Sequence, residues 1–140
     1  MFDLSPTRLL LWLPAVLIAL TFHEYAHARA AESLGDSTAR YMGRMSLNPL
    51  VHLDPLGFIL LLLVGFGWAK PVPVNPLNFR GDRQRGMMLV AVAGPLMNIF
   101  IAFTAALILN LALPEAGMMY SSAPLVQMMR AIVYINVFLA

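Results

Sequence analysis

The chain has 140 residues, of which 60% are hydrophobic and 11% charged, and its mean hydropathy is +0.76. One domain, spanning 1–140, is the expectation at this length, and the composition excludes an ordinary soluble domain, which is about half apolar and about a quarter charged. A net charge of +2 with no aromatic-interleaved basic run gives no support to nucleic acid as a partner, and the lack of cysteine excludes disulfides and thiolate metal sites, leaving His, Asp and Glu as metal donors.

The N-terminal segment reads as one long helix from about Pro6 to Leu34. Its apolar run, Leu9 to Phe22, follows Arg8 as in a signal peptide, but no small-residue cleavage site comes after it; the run leads straight into His23-Glu24-Tyr25-Ala26-His27. Pro14 is tolerable in a membrane helix, where neighbours re-satisfy the freed carbonyl. The apolar part falls short of the about 20 residues of a full span, so the helix completes a crossing only by carrying the His/Glu cluster into the membrane zone. Gly35 is placed to cap it, and Asp36-Ser37 open a polar connection. Partial alternation of polar and apolar residues predicts short extended pieces around Ala39 to Leu47, and Asn48-Pro49 and Asp54-Pro55 signal turns.

Leu56 to Ala69 is a second apolar run, 14 residues long with three glycines, too short for a comfortable span and better suited to a re-entrant hairpin or a tilted short helix. Lys70 to Gly86, with three prolines and then Arg80, Arg83 and Arg85, reads as a loop. Met87 to Leu113 is 27 residues without a charge, the clearest spanning helix. A short loop, Pro114 to Ala123, follows, and Ser122 is placed to cap a last helix that opens at Pro124. The expected class is an all-α multi-pass membrane protein, with about three transmembrane helices plus the short apolar segment. Arginine and lysine concentrate in the two long connections and are absent from 114–123, which by the positive-inside rule puts those connections in the cytoplasm and the N-terminus outside.

His23 and His27 stand four apart, so on a helix their imidazoles project from one face and can hold one metal ion. Glu24 lies beside the first of them, where it can act as general base toward a metal-activated water. Chance produces this pattern in a chain of this length on the order of once in several hundred, and ionisable groups at the end of an apolar helix are costly and usually functional. The bland alternative is that they mark the helix exit at the headgroups. His52 and Asp54 have two readings, either a place at or behind the metal or a polar turn tied by Asx-type hydrogen bonds. Asn98 and Asn110, inside the spanning helix, fit interhelical hydrogen bonding, and Gly94-Pro95 allows close helix approach or a kink.

Four stretches in this order resemble one family: Phe22-His23-Glu24-Tyr25-Ala26-His27, Asn48 to Gly57, Gly67-Trp68-Ala69-Lys70-Pro71-Val72-Pro73-Val74-Asn75, and Ala93-Gly94-Pro95-Leu96-Met97-Asn98. Together they resemble the short prokaryotic branch of the site-2 proteases, from about Leu9 to Ala140. The resemblance implies an integral-membrane zinc (Zn2+) endopeptidase of the cell membrane that cuts transmembrane segments of other proteins near the cytoplasmic side. It maps the histidine ligands to His23 and His27 and the catalytic glutamate to Glu24. The family's third ligand, an aspartate in Leu-Asp-Gly after the Gly-Pro-x-x-Asn segment, has no counterpart: Asp82 and Glu115 are the only acids after Asp54, and neither lies in such a motif. Two alternatives follow, a domain incomplete at its C-terminus or one lacking its third ligand. His52, Asp54 and Asn98 are then candidates for supporting the metal or lining the substrate region. Competing readings are an inactive membrane protein of the same fold that binds clients or metal, and an ion- or proton-handling protein, the latter disfavoured by the lack of internal repeats.

Overall fold

The computed structural model describes residues 6–64, 67–112 and 122–140. These form α1 (Pro6–Ser33), α2 (Thr38–Tyr41), α3 (Pro55–Val64), α4 (Arg83–Ala112) and α5 (Pro124–Leu139), with 3-10 turns at Pro49–Val51 and Pro76–Asn78. The all-helical expectation holds. Among the described residues the sole β feature is an isolated antiparallel bridge between Leu53 and Ala69.

Helices α1, α4 and α5 pack pairwise into a bundle. The residues that α4 buries, Gly86, Val90, Gly94, Asn98, Ala102, Ala105 and Leu109, recur at intervals of three and four and so form one stripe along the helix. Most are small, as are Ala15 and Ala19 of α1 and Ala131 of α5, which lets the backbones approach closely. The outward face of α4 is as apolar as its inward one: Leu96, Ile99, Phe100, Phe103 and Leu111 are all exposed. By length and composition α4 is the one helix among the described residues that can cross a bilayer alone. An apolar surface this continuous marks a face that meets lipid or protein rather than water.

Local signals explain the helix ends. Gly35, at φ +109, is the left-handed residue of a Schellman motif, with its N–H on Glu32 O (2.9 Å) and the Asp36 N–H on Ala31 O (2.9 Å). Helix α4 starts at Arg83, earlier than the expected Met87, because Asp82 caps it: its Oδ1 accepts from Arg85 N–H at 2.7 Å. The last helix opens at Pro124 as expected, but Ala123 is its N-cap, without a side-chain cap bond, and Ser122 instead lends its carbonyl to Gln127 Nε2 (2.8 Å). Most of the expected 114–123 loop lies outside the described residues. No extended pieces form over 39–47; the chain makes the α2 turn and then irregular structure. Ala39 is buried within the α2 turn, but Tyr41, Met42 and Leu47 are exposed, so the stretch presents no continuous buried strand face.

The second apolar run is a helix that leaves and a chain that returns. Helix α3 has ten residues. By residues 67–69 the chain is back beside the helix start, where Leu53 bridges Ala69 and Lys70 N–H donates to His52 O at 2.8 Å. Glycine makes the return possible: a Cβ on Gly57 would sit 2.3 Å from Trp68 O, and one on Gly67 would sit 2.1 Å from Gly57 O. The run therefore starts and finishes at one place, as a re-entrant hairpin requires.

Candidate metal centre

The site lies where α1 crosses the Gly94-Pro95 segment of α4. His23 and His27 are one turn apart on α1, their ring centroids 4.7 Å apart and their planes 80° to each other. Both present Nε2 toward Gly94. A Cβ added to that glycine would fall 2.4 Å from His27 Nε2 and 2.6 Å from His23 Nε2. Two imidazole nitrogens thus converge on one point, and the missing side chain of Gly94 leaves the room between them.

The opposite ring nitrogens are held by α4. His27 Nδ1 meets Val90 O at 2.6 Å. A carbonyl only accepts, so Nδ1 carries the proton and Nε2 presents its lone pair to the site. His23 Nδ1 meets the amide of Asn98 at 3.0 Å, with Nδ2 facing the ring. The two amide orientations have opposite consequences. With nitrogen inward the ring proton sits on Nε2 and closes it to a metal; with oxygen inward Nδ1–H donates and Nε2 is open. Asn98 is fully buried, and its Oδ1 has no partner among the described residues. Placing that unpartnered oxygen on the His23 Nδ1–H gives both imidazoles the same open state.

Glu24, half-buried, receives a hydrogen bond from across the molecule: Val72 N–H donates to its Oε2 at 3.1 Å. Val72 lies between Pro71 and Pro73 in the extended segment after the hairpin. The segment is tied to the polar connection, where buried Asp36 accepts from Asn75 N–H (2.7 Å), Asn78 Nδ2 (2.8 Å), Thr38 N–H (3.1 Å) and Thr38 Oγ1 (2.5 Å). Burial alone would raise the Asp36 pKa, but these hydrogen bonds outweigh it and hold the carboxyl below its ordinary value.

His52 and Asp54 are placed apart from the imidazoles. Asp54 Oδ1 accepts from Gly57 N–H at 2.9 Å and caps α3, and fully buried His52 points Nε2 at Ser46 O, 2.7 Å away. That is the Asx-type turn of the two readings. Asn110 is exposed on α4.

Two imidazole nitrogens aimed at one point suit zinc, bound by histidine at about 2.0–2.1 Å. Two donors fit; no group of three His, Cys, Asp or Glu gathers among the described residues. Sequence reasoning singled out the two histidines, Glu24 and Asn98. It missed Val90, whose role belongs to its backbone carbonyl, and Val72, for which the flanking prolines were the available signal.

Two curated relatives match. "Putative zinc metalloprotease YwhC" of Bacillus subtilis is 50% identical over 88 residues, 63% of this chain and 40% of that protein. "Putative zinc metalloprotease Rip2" of Mycolicibacterium smegmatis is 30% identical over 91 residues, 61% of this chain and 34% of that protein. No family model matches, and no solved structure does. Both relatives carry the name putative zinc metalloprotease, and the chain is similar to them over 88 and 91 residues. It spans less than half the length of the curated relatives it matches.

Proposed function

We propose that this chain carries the catalytic centre of a zinc-dependent endopeptidase that works in or beside the lipid bilayer and hydrolyses peptide bonds in transmembrane segments of other membrane proteins. The observation that carries this reading is the convergence of the His23 and His27 Nε2 atoms on Gly94, on the helix that also carries Glu24, with the His27 tautomer fixed by Val90 O. When bound between them, zinc would supply Lewis-acid polarisation of the scissile carbonyl. The described residues supply two protein ligands, whereas a catalytic zinc normally has three.

Glu24 is the proton carrier. Its Oε2 is fixed by Val72 N–H, and its other oxygen is left to take a proton from the attacking water and return it to the leaving nitrogen. Val90 and Asn98 hold the imidazoles through Nδ1, so the ligands are oriented before substrate arrives. Substrate would be a locally unwound helix, because a helical peptide bond is buried among its own hydrogen bonds.

A membrane setting is supported by the lipid-like outer face of α4 and by a hairpin whose ends meet at one place. In this reading α1, α4 and α5 cross the bilayer, α3 enters and leaves it on one side, and the arginine-bearing connections, with the site, lie toward the cytoplasm.

The test is Glu24→Gln in zinc-loaded protein reconstituted in liposomes with a labelled single-span helix carrying a Gly-Pro break. Cleavage should be abolished while zinc content stays that of the parent. Cleavage that survives the substitution would show the mechanism to be wrong.

A further inference from the structure

We propose that Arg44 is a positioning residue for Glu24, acting through the proline-flanked segment that lies against it; this rests on Glu24 being the general base. From sequence alone Arg44 is one cytoplasmic charge among several, yet the fold buries it to 7% exposure. Gly43, at φ +68, closes a Schellman motif after α2 in which Arg44 N–H meets Ala39 O at 2.7 Å, and this turn directs Arg44 inward. Its Nη2 donates to Lys70 O at 2.5 Å and to Pro71 O at 3.3 Å. It has no carboxylate partner among the described residues, and its Nε is buried without an acceptor.

A guanidinium held only by two carbonyls is desolvated without an opposite charge to offset it, so the arrangement is a poor device for stability. What the two bonds do well is fix a backbone. They pin consecutive carbonyls, while Lys70 N–H is pinned to His52 O and Asn75 N–H to Asp36. Pro71 and Pro73 lack an N–H and have their φ locked. Val72 N–H is therefore the one backbone donor in 71–73, and it is directed at Glu24 Oε2. The guanidinium sets the strap, and the strap sets the carboxylate.

The test uses the whole chain, labelled with 15N-valine, in detergent micelles. In Arg44→Ala the Val72 amide should exchange roughly tenfold faster than in the parent, while Val90 in α4 keeps its rate. Arg44→Lys should restore part of the protection. Equal Val72 rates in parent and variant overturn the proposal, and so does equal acceleration of Val72 and Val90. A second arm measures zinc-dependent cleavage of the single-span helix. There kcat should fall roughly tenfold with KM and zinc content unchanged, and adding Val72→Pro, which removes the donor, should cost little more. Additive losses overturn the proposal. If the parent cleaves nothing, the peptidase reading fails, and the exchange arm still decides the role of Arg44.

Discussion

Replacing Gly94 by alanine tests the metal centre most directly. The added methyl would stand 2.4 Å from His27 Nε2 and 2.6 Å from His23 Nε2. Ordinary contact needs about 3.5 Å, so both rings must retreat by about 1 Å. Neither can do so and keep its anchor, since His27 is tied to Val90 O and His23 to Asn98. Each lost hydrogen bond costs about 1 kcal/mol, whereas Gly→Ala in a helix interior gains about 1 kcal/mol. The metal-free fold should therefore change in stability by no more than about 1 kcal/mol. Zinc affinity should not survive: loss of one ligand's orientation costs about 10–100-fold, and here two are lost together, so a fall of at least about 100-fold is expected. Competition with a chromophoric chelator in micelles reads the affinity, and thermal unfolding by circular dichroism in the absence of metal reads the fold. A variant that binds zinc within about threefold of the parent at equal stability would refute the convergence of the two nitrogens on Gly94.

Further outcomes follow from other contacts. Asn98→Leu should weaken zinc binding about 10–100-fold in the same competition, whereas Asn98→Asp, an acceptor only, should stay within a few-fold of the parent if the amide oxygen faces His23; loss of binding in Asn98→Asp would show that the amide donates instead. Gly57→Ala, whose Cβ would meet Trp68 O at 2.3 Å, should destabilise by about 1–3 kcal/mol because the hairpin backbone must move, read as a lower unfolding midpoint. Asp36→Asn should cost about 2–4 kcal/mol at neutral pH. The Asp36 pKa is depressed on folding, so its contribution is present above the ordinary value of 3.8 and is lost as pH falls through the folded value. The gap between parent and Asp36→Asn in denaturant unfolding should accordingly be constant from neutral pH down to about 5 and close below 3.8; a gap that closes on raising the pH would contradict this.

What was legible in the sequence was whatever is decided locally. Helix α1 ends where Gly35 says it should, and α4 follows its uncharged run. The start of α4 precedes its uncharged run because, although arginines next to an apolar run read as loop, one side chain, Asp82, satisfies the first turn. The 39–47 stretch departs from its alternation because alternation signals a strand only when one face is buried, and here Tyr41 and Met42 face outward. Arg44 illustrates a second limit. Charge counting treats every arginine as solvated, and only the placement of the turn after α2 beside residues 70–71 shows this one enclosed. In the site, His23, Glu24 and His27 were readable from spacing on one helix. Their supports were not, because the relative placement of α1 and α4 brings Val90 and Asn98 to them across 63 and 75 residues.

That placement divides the site between two supports. The imidazoles are gripped by α4, whose buried stripe of small residues locks it against α1 along most of their length. The carboxylate of Glu24, although on the same helix, is held by an irregular segment anchored in the polar connections. Close-packed helices resist small displacements, whereas a backbone strap fixed by a few hydrogen bonds opens at the cost of those bonds alone. Perturbing the strap should thus reduce turnover and leave the metal bound, while perturbing α4 at Gly94 or Asn98 should release the metal and leave the strap intact.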